Sequence, residues 1–184
     1  MMQQKFKELY KEHIKRDGAD KLYEWLNRSD FYEAPASTRY HGSHPGGLVE
    51  HSVNVYNRLK HLVEVCWPGG EKPSDETIAI VSLLHDLCKA NFYGIEMRNR
   101  KNEQGQWEKY PFYIVDDKLP LGHGEKSVIM LQNFMRLSMD EIYAIRFHMG
   151  DYSDQNTIKA FDICPLALLL HQADEQASTF DEEV

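Results

Sequence analysis

The stretch from Val81 to Lys89 constrains the fold more than any other part of the sequence. The residues that share one helical face around it are Ile78, Val81, His85 and Cys88. Their spacing of three and four predicts a helix with His85 on its apolar stripe and Asp86 beside it. A carboxylate in such surroundings is costly unless another group pairs with it. A metal ion and a purely structural His–Asp pair both satisfy this requirement, so the other ligands of a metal must come from elsewhere in the chain.

Further histidine and aspartate residues occupy similar positions. A stripe at helical spacing is formed by Leu48, His51, Val55, Leu59 and Leu62. His148 lies on the inner face of a later helix, and Asp174 lies in a helix that is apolar nearly all round. A lone histidine on a core-facing stripe is often a hydrogen-bonded core residue, but several of them point to a shared ligand set. His123 stands between two glycines at a helix entry, where other groups can approach closely.

Hydrophobic periodicity and breakers predict a mostly helical chain. The predicted helices span residues 3–16, 19–28, 48–66, 74–89, 125–137, 138–150 and 165–177. The aromatic and β-branched segment 93–115, with a turn at 102–105, predicts a β-hairpin inserted between helices. The hairpin is either a lid over the site or a decoration of the bundle, and its aromatic side chains favour a lid that could stack on a base or ring. We expect one domain over 1–184, with residues 1–30 forming two N-terminal helices.

Composition narrows the function classes. The net charge of −8 argues against a coat for long nucleic acid, which needs a basic face. The longest strongly apolar run, residues 166–170, is far too short for a membrane span, and the N-terminus has no signal-like apolar segment. The three cysteines are odd in number and lack CxxC spacing, which predicts reduced thiols and a cytoplasmic location. The oligomeric state is left open.

The loop of residues 33–47 contains two prolines and three glycines and cannot form a regular element. Polar side chains in such a loop are well placed to bind a ligand. Arg39, His41 and His44 are therefore candidate substrate contacts. Asp151 lies in a second polar loop and is a further candidate.

Taken together, four helices and one loop supply six ligands of the types that metals bind. They are His51, His85, Asp86, His123, His148 and Asp174. Imidazole and carboxylate suit Mn, Fe, Co or Ni, with Mg or Zn as further options. Six ligands exceed the needs of one tetrahedral ion, so the simplest arrangement is two ions that share Asp86. One ion would then take His51, His85 and Asp174, and the other His123 and His148.

At this point the chain resembles the HD-domain superfamily. The resemblance covers about residues 40–178 and rests on Gly46–Ser52, Leu84–Lys89, Gly122–Ser127, His148 and Ala173-Asp174. It implies an all-α helical bundle, metal bound at the six positions, and hydrolysis of phosphate esters of nucleotides. The Gly46–His51 segment is similar to the HD portion of some bacterial 3′-5′ exoribonucleases, without their OB domain. A small nucleotide or short oligonucleotide is thus the expected substrate, rather than long RNA. Cys88 replaces a glycine found in many of these hydrolases, and we expect this change to affect packing only.

The leading hypothesis is a dinuclear phosphohydrolase that cleaves a phosphomonoester or phosphodiester by attack of metal-bound hydroxide. Asp86 would bridge the ions, and Lys89 and Arg39 would contact the phosphate. Asp151 and His44 are candidate substrate contacts and candidates for the unassigned general acid. The alternative is an HD-type di-iron oxygenase resembling myo-inositol oxygenase, because the same ligands serve both chemistries. A regulatory module without catalysis is disfavoured, since no ligand position is missing.

Overall fold

The computed structural model describes residues 1–182 and contains eight α-helices and one antiparallel β-hairpin within that range. The helices are α1 (Met2–His13), α2 (Ala19–Arg28), α3 (Gly47–Cys66), α4 (Asp75–Leu84), α5 (His123–Gln132), α6 (Met139–Phe147), α7 (Gln155–Ile163) and α8 (Pro165–Phe180). The hairpin strands are β1 (Tyr93–Lys101) and β2 (Trp107–Val115). The prediction of a mostly helical bundle with a small hairpin insertion is confirmed.

The longest helix, α3, lies at the centre of the bundle. It packs against α8 and α4, and α1 covers both α3 and α4. One cluster of buried apolar side chains runs from Phe6 in α1 to Ala177 in α8. Burial of this surface is the main force that holds the helices together. The assignment of the whole chain to a single domain stays a prediction.

Helix starts follow the local sequence signals. The Ser74 side chain accepts a hydrogen bond from the Thr77 backbone N–H and so caps α4. Ser138 and Glu141 form a reciprocal capping box at the start of α6. Both caps fix where these helices enter the core, and through them the positions of the histidines that follow each helix.

The structure corrects the predicted extent of the helix that carries the His–Asp pair. The helix α4 ends at Leu84, and His85 and Asp86 lie in the turn that leads to a short 3-10 helix, Leu87–Lys89. The imidazole of His85 hydrogen bonds through Nδ1 to the carbonyl of Ser82 (2.8 Å), and the Asp86 carbonyl accepts a bond from the Lys89 N–H. These bonds end the helix and place both side chains at its C-terminal end.

The hairpin lies between the 3-10 helix and α5. Its register pairs Tyr93 with Val115 at the base and Lys101 with Trp107 at the tip. Tyr93 donates a hydrogen bond to the Ala36 carbonyl (3.1 Å), which ties the hairpin to the loop before α3. Among the helices of residues 1–182, none combines the length and apolar character needed to cross a membrane.

Candidate metal centre

The side chains of His51, His85 and Asp174 meet at the centre of the bundle. His51 belongs to α3, Asp174 to α8, and His85 follows α4. The Nε2 atom of His51 lies 3.1 Å from the Nε2 atom of His85 and 3.1 Å from Oδ1 of Asp174. Two of these three side chains are almost wholly inaccessible to solvent, so the three elements enclose a small polar centre.

Asp86 lies between this group and a second set of ligands. Its Oδ2 atom is 3.5 Å from Nε2 of His85 and 3.8 Å from Nε2 of His51. Its Oδ1 atom lies 3.5 Å from Nε2 of His148. The Lys89 ammonium lies 2.6 Å from Oδ2. The carboxylate is thus positioned to contribute to two neighbouring sites.

His123 belongs to a further group of candidate ligands that includes Asp86. Ligand atoms of Asp86, Cys88 and His123 all fall within 4.8 Å of one another. The Sγ atom of Cys88 is 3.1 Å from Nδ1 of His123. The sulfur of Cys88 thus contacts a candidate ligand, and the expectation that this residue affects packing only stays a prediction.

Hydrogen bonds fix the orientation of three of the histidine rings. Nδ1 of His51 bonds to Glu182 Oε1 (2.9 Å), that of His85 to the Ser82 carbonyl, and that of His148 to the Ile145 carbonyl (2.7 Å). Because each Nδ1 faces an oxygen acceptor, it carries a proton, and each Nε2 atom is directed at the centre.

This arrangement leaves polar groups that a cation would satisfy. Asp86 Oδ1 and His148 Nε2 are buried without a hydrogen-bond partner in the described part of the chain. The Nε2 atoms of His51 and His85 face each other at 3.1 Å, a separation that a shared proton or cation stabilises. Imidazole and carboxylate donors suit Mn, Fe, Co, Ni or Zn. The residues present therefore fit a metal site.

Burial and charge shift the pKa values of these groups in opposite directions. Burial lowers the pKa of His51, but hydrogen bonds to Asp174 and Glu182 outweigh this effect and raise it to about 9. Burial raises the pKa of both Asp86 and Asp174, yet Lys89 beside Asp86 and His51 beside Asp174 hold them below the usual carboxyl value. Burial lowers the pKa of His85. When no cation is bound, a proton on Nε2 of His51 can therefore be donated to Nε2 of His85, which faces it.

A cavity of about 450 Å³ opens onto the centre. Its lining includes Asp86, Lys89, His123, His148 and Asp174. His41 and His171 line it as well. The Nδ1 atom of His171 bonds to the His148 carbonyl (2.8 Å), which ties α8 to the end of α6.

Three of the candidate substrate contacts lie outside this cavity. Arg39 and His44 line a different cavity, between their loop and the hairpin. Asp151 is exposed, and its carboxylate accepts hydrogen bonds from the backbone and side chain of Ser153. Lys89, in contrast, lines the cavity that opens onto the candidate metal centre, where it forms an ion pair with Asp86.

The sequence prediction missed Glu182. Its side chain is 2% exposed, and it joins Nδ1 of His51 to Nδ1 of His41 (2.6 Å). The glutamate follows α8 in an acidic segment with no apolar periodicity, so nothing local marks it as buried. Only the return of α8 against α3 brings it to the site.

Comparison with known proteins gives one curated relative. Over 154 residues the chain is 29% identical to the dihydroneopterin 2′,3′-cyclic phosphate phosphodiesterase of Methanocaldococcus jannaschii. The alignment covers 82% of this chain and 53% of the relative, so the chain spans about half the length of that protein. No protein-family model and no solved structure matches the chain.

Proposed function

We propose that this chain is a metal-dependent phosphodiesterase of the HD type, acting on a small nucleotide-like substrate. The observation that carries the proposal is the convergence of His51, His85, Asp86 and Asp174, with imidazole Nε2 atoms facing inward and Asp86 Oδ1 buried without a partner among the described residues. The likeness to a phosphodiesterase supports hydrolysis over the oxidative alternative.

Two sets of residues would hold the ions. His51, His85, Asp86 and Asp174 would hold one, and Asp86, His123 and His148 the other. Divalent ions bound there would lower the pKa of water and offset the negative charge that develops on a phosphoryl group. The donor set favours Mn, Fe, Co, Ni or Zn over Mg.

Residues of the chain itself would orient the metal ligands and offset the charge of a bound phosphate. Lys89 holds Asp86 in place and faces the cavity, so a bound phosphate would lie near a fixed positive charge. Glu182 and the two carbonyls behind the histidines keep the Nε2 atoms aimed inward. The buried walls around the centre exclude bulk water, which strengthens these interactions. The cavity of about 450 Å³ is large enough for a cyclic phosphate on a ribose-sized group.

Metal analysis combined with a hydrolysis assay tests the proposal. The protein is stripped with EDTA, reloaded with one metal at a time, and assayed with adenosine 2′,3′-cyclic phosphate and bis(p-nitrophenyl) phosphate. We expect activity only in loaded protein, and a loss of about 1,000-fold or more in His85→Ala and Asp86→Ala. The control is His61→Ala, which alters an exposed histidine of α3.

Full turnover by protein shown to be metal-free would contradict the proposal. Substrate-dependent oxygen uptake by iron-loaded protein, without release of phosphate or of a phosphomonoester, would instead support the oxygenase.

A further inference from the structure

A second cavity of about 640 Å³ lies between the loop of residues 38–45 and the hairpin. One wall is aromatic and consists of Tyr110, Phe112 and Tyr113 from β2. The opposite wall is the loop itself, with Arg39, His44 and Pro45. Flat apolar faces with polar groups at the rim are the usual features of a site for a planar ring.

Two arginine side chains lie against the Phe112 ring of the aromatic wall. The Arg98 guanidinium lies 3.8 Å from the centroid of the Phe112 ring, and the Arg39 guanidinium lies 5.7 Å from the same centroid. Arg39 is exposed and forms no ion pair with any carboxylate of residues 1–182. Its planar group is therefore available both to stack on a ring and to donate hydrogen bonds to the ring's edge.

One loop joins the two cavities. His41 lines the cavity of the metal centre, whereas Arg39 and His44 line the cavity of the hairpin. Residues three apart in a chain are at most about 10 Å apart. Neighbouring residues of this one loop therefore contribute to both cavities.

The loop is held rigidly by internal hydrogen bonds. The Ala36 N–H donates to the Gly42 carbonyl (2.9 Å), and the Ser37 hydroxyl donates to the His41 carbonyl (3.0 Å). A Cβ atom at Gly47 would overlap the Gly42 carbonyl, so the loop lies directly against the start of α3. Because Tyr93 ties the hairpin to Ala36, both walls of the second cavity are fixed relative to the metal centre.

We propose that the hairpin cavity binds the planar heteroaromatic ring of the substrate while the phosphodiester lies at the metal centre. This inference rests on the proposed function and adds the substrate class, a phosphodiester that carries a purine-like or pterin-like ring. The aromatic wall takes the ring face, and Arg39 and His44 contact its polar edge. An acyl chain would leave these polar groups unused, and the net charge of −8 disfavours a long polyanion.

Substrate selectivity tests the ring site. The assay compares kcat/KM for adenosine 2′,3′-cyclic phosphate with kcat/KM for glycerol 1,2-cyclic phosphate, which has the same five-membered cyclic phosphate and no heteroaromatic ring. Because a stacked base contributes about 1–3 kcal/mol, Phe112→Ala should lower the ratio of the two values by about 5- to 150-fold. The control is Trp107→Ala, since Trp107 lies at the hairpin tip and is 71% exposed. Arg39→Ala should lower the same ratio and alters an exposed side chain that the fold does not need.

Binding of adenosine alone separates the two proposals. Adenosine is titrated into metal-free protein and followed by saturation-transfer NMR, with Phe112→Ala and Trp107→Ala in parallel. Binding by wild type and Trp107→Ala, lost in Phe112→Ala, supports the ring site even if no phosphodiester is hydrolysed. Hydrolysis with an unchanged substrate ratio in Phe112→Ala and Arg39→Ala, together with no adenosine binding, would overturn the ring site and leave the phosphodiesterase proposal standing.

Discussion

The sulfur atom of Cys88 lies 3.1 Å from Nδ1 of His123, in the position that an oxygen acceptor occupies beside His51, His85 and His148. A thiol is a weaker hydrogen-bond acceptor than a carbonyl or carboxylate oxygen. His123 is therefore the least firmly oriented of the four histidines.

Removal of the Cys88 sulfur should weaken binding of the second ion of the proposed pair, the one assigned to His123 and His148. We expect Cys88→Ala to lower the affinity for the second ion by about 10- to 100-fold, because loss of such a supporting contact typically costs that much. Equilibrium dialysis with metal analysis measures this, with the exposed Cys66→Ala as control. Unchanged binding of two ions by Cys88→Ala would show that His123 needs no support from the sulfur.

Replacement of Glu182 should weaken binding of the first ion of the proposed pair, the one assigned to His51, His85, Asp86 and Asp174. Glu182→Ala removes the acceptor that fixes the His51 ring, so affinity for the first ion should fall by about 10- to 100-fold. Glu182→Gln retains an acceptor oxygen and should fall less. The matched control is the neighbouring Asp181→Ala, which breaks a surface pair with Arg58. Equal losses in Asp181→Ala and Glu182→Ala would indicate a general effect of loosening the end of α8.

The stability of the metal-free protein should depend on pH through His51. A histidine whose pKa rises on folding, here from 6.5 to about 9, contributes fully below pH 6.5, and this contribution is lost as the pH rises through 9. The loss is on the order of 3 kcal/mol. His148, whose pKa is also raised despite its burial because Asp86 faces it, acts in the same direction. The depressed carboxylates act only below about pH 4.5, outside this window.

Urea denaturation of EDTA-treated protein between pH 6.5 and 9.5 measures this effect, with His51→Gln for comparison. The wild type should lose more stability than the variant across this range, and bound metal should abolish the difference. Parallel pH profiles for the two metal-free proteins would show that His51 does not carry the proton.

The close approach of α5 to α6 at Gly124 should be sensitive to any added atom. A Cβ atom there would overlap the backbone carbonyl of Arg146, which cannot move without shifting α6. Gly124→Ala should therefore destabilise the fold by about 1–3 kcal/mol and displace His123. Thermal unfolding and metal binding report the two effects. The control, Gly94→Ala, adds a Cβ atom in ordinary contact with Ile114, and a similar loss there would argue against a specific clash at Gly124.

The sequence was sufficient for the elements with a strong local signal. The stripe that contains His51 predicted α3, the capping box of Ser138 and Glu141 predicted the start of α6, and the aromatic segment 93–115 predicted the hairpin. Helix α7 was missed because Asn156 and Thr157 are weak helix formers and only three of its residues are buried. The end of α4 at Leu84 was missed because it depends on the turn formed by His85 and Asp86.

The remaining features of the site depend on contacts between distant parts of the chain. Glu182 meets His51 across 131 positions, and no spacing rule connects them. The separation of Arg39 and His44 from the metal centre depends on how the loop folds back at Gly42, which a pattern of residue types does not encode. The ligand assignments themselves stay predictions until a metal is measured.

The loop of residues 38–45, which contributes to both cavities, has a consequence for which substrates the proposed activity would accept. The loop would set the distance between the two proposed sites. A substrate whose phosphate and ring are too close together, or too far apart, could not occupy both sites at once. If the two proposals hold, inserting or deleting one residue between Ser37 and Gly42 should change the preferred distance between phosphate and ring in the substrate, and not only lower the rate of hydrolysis.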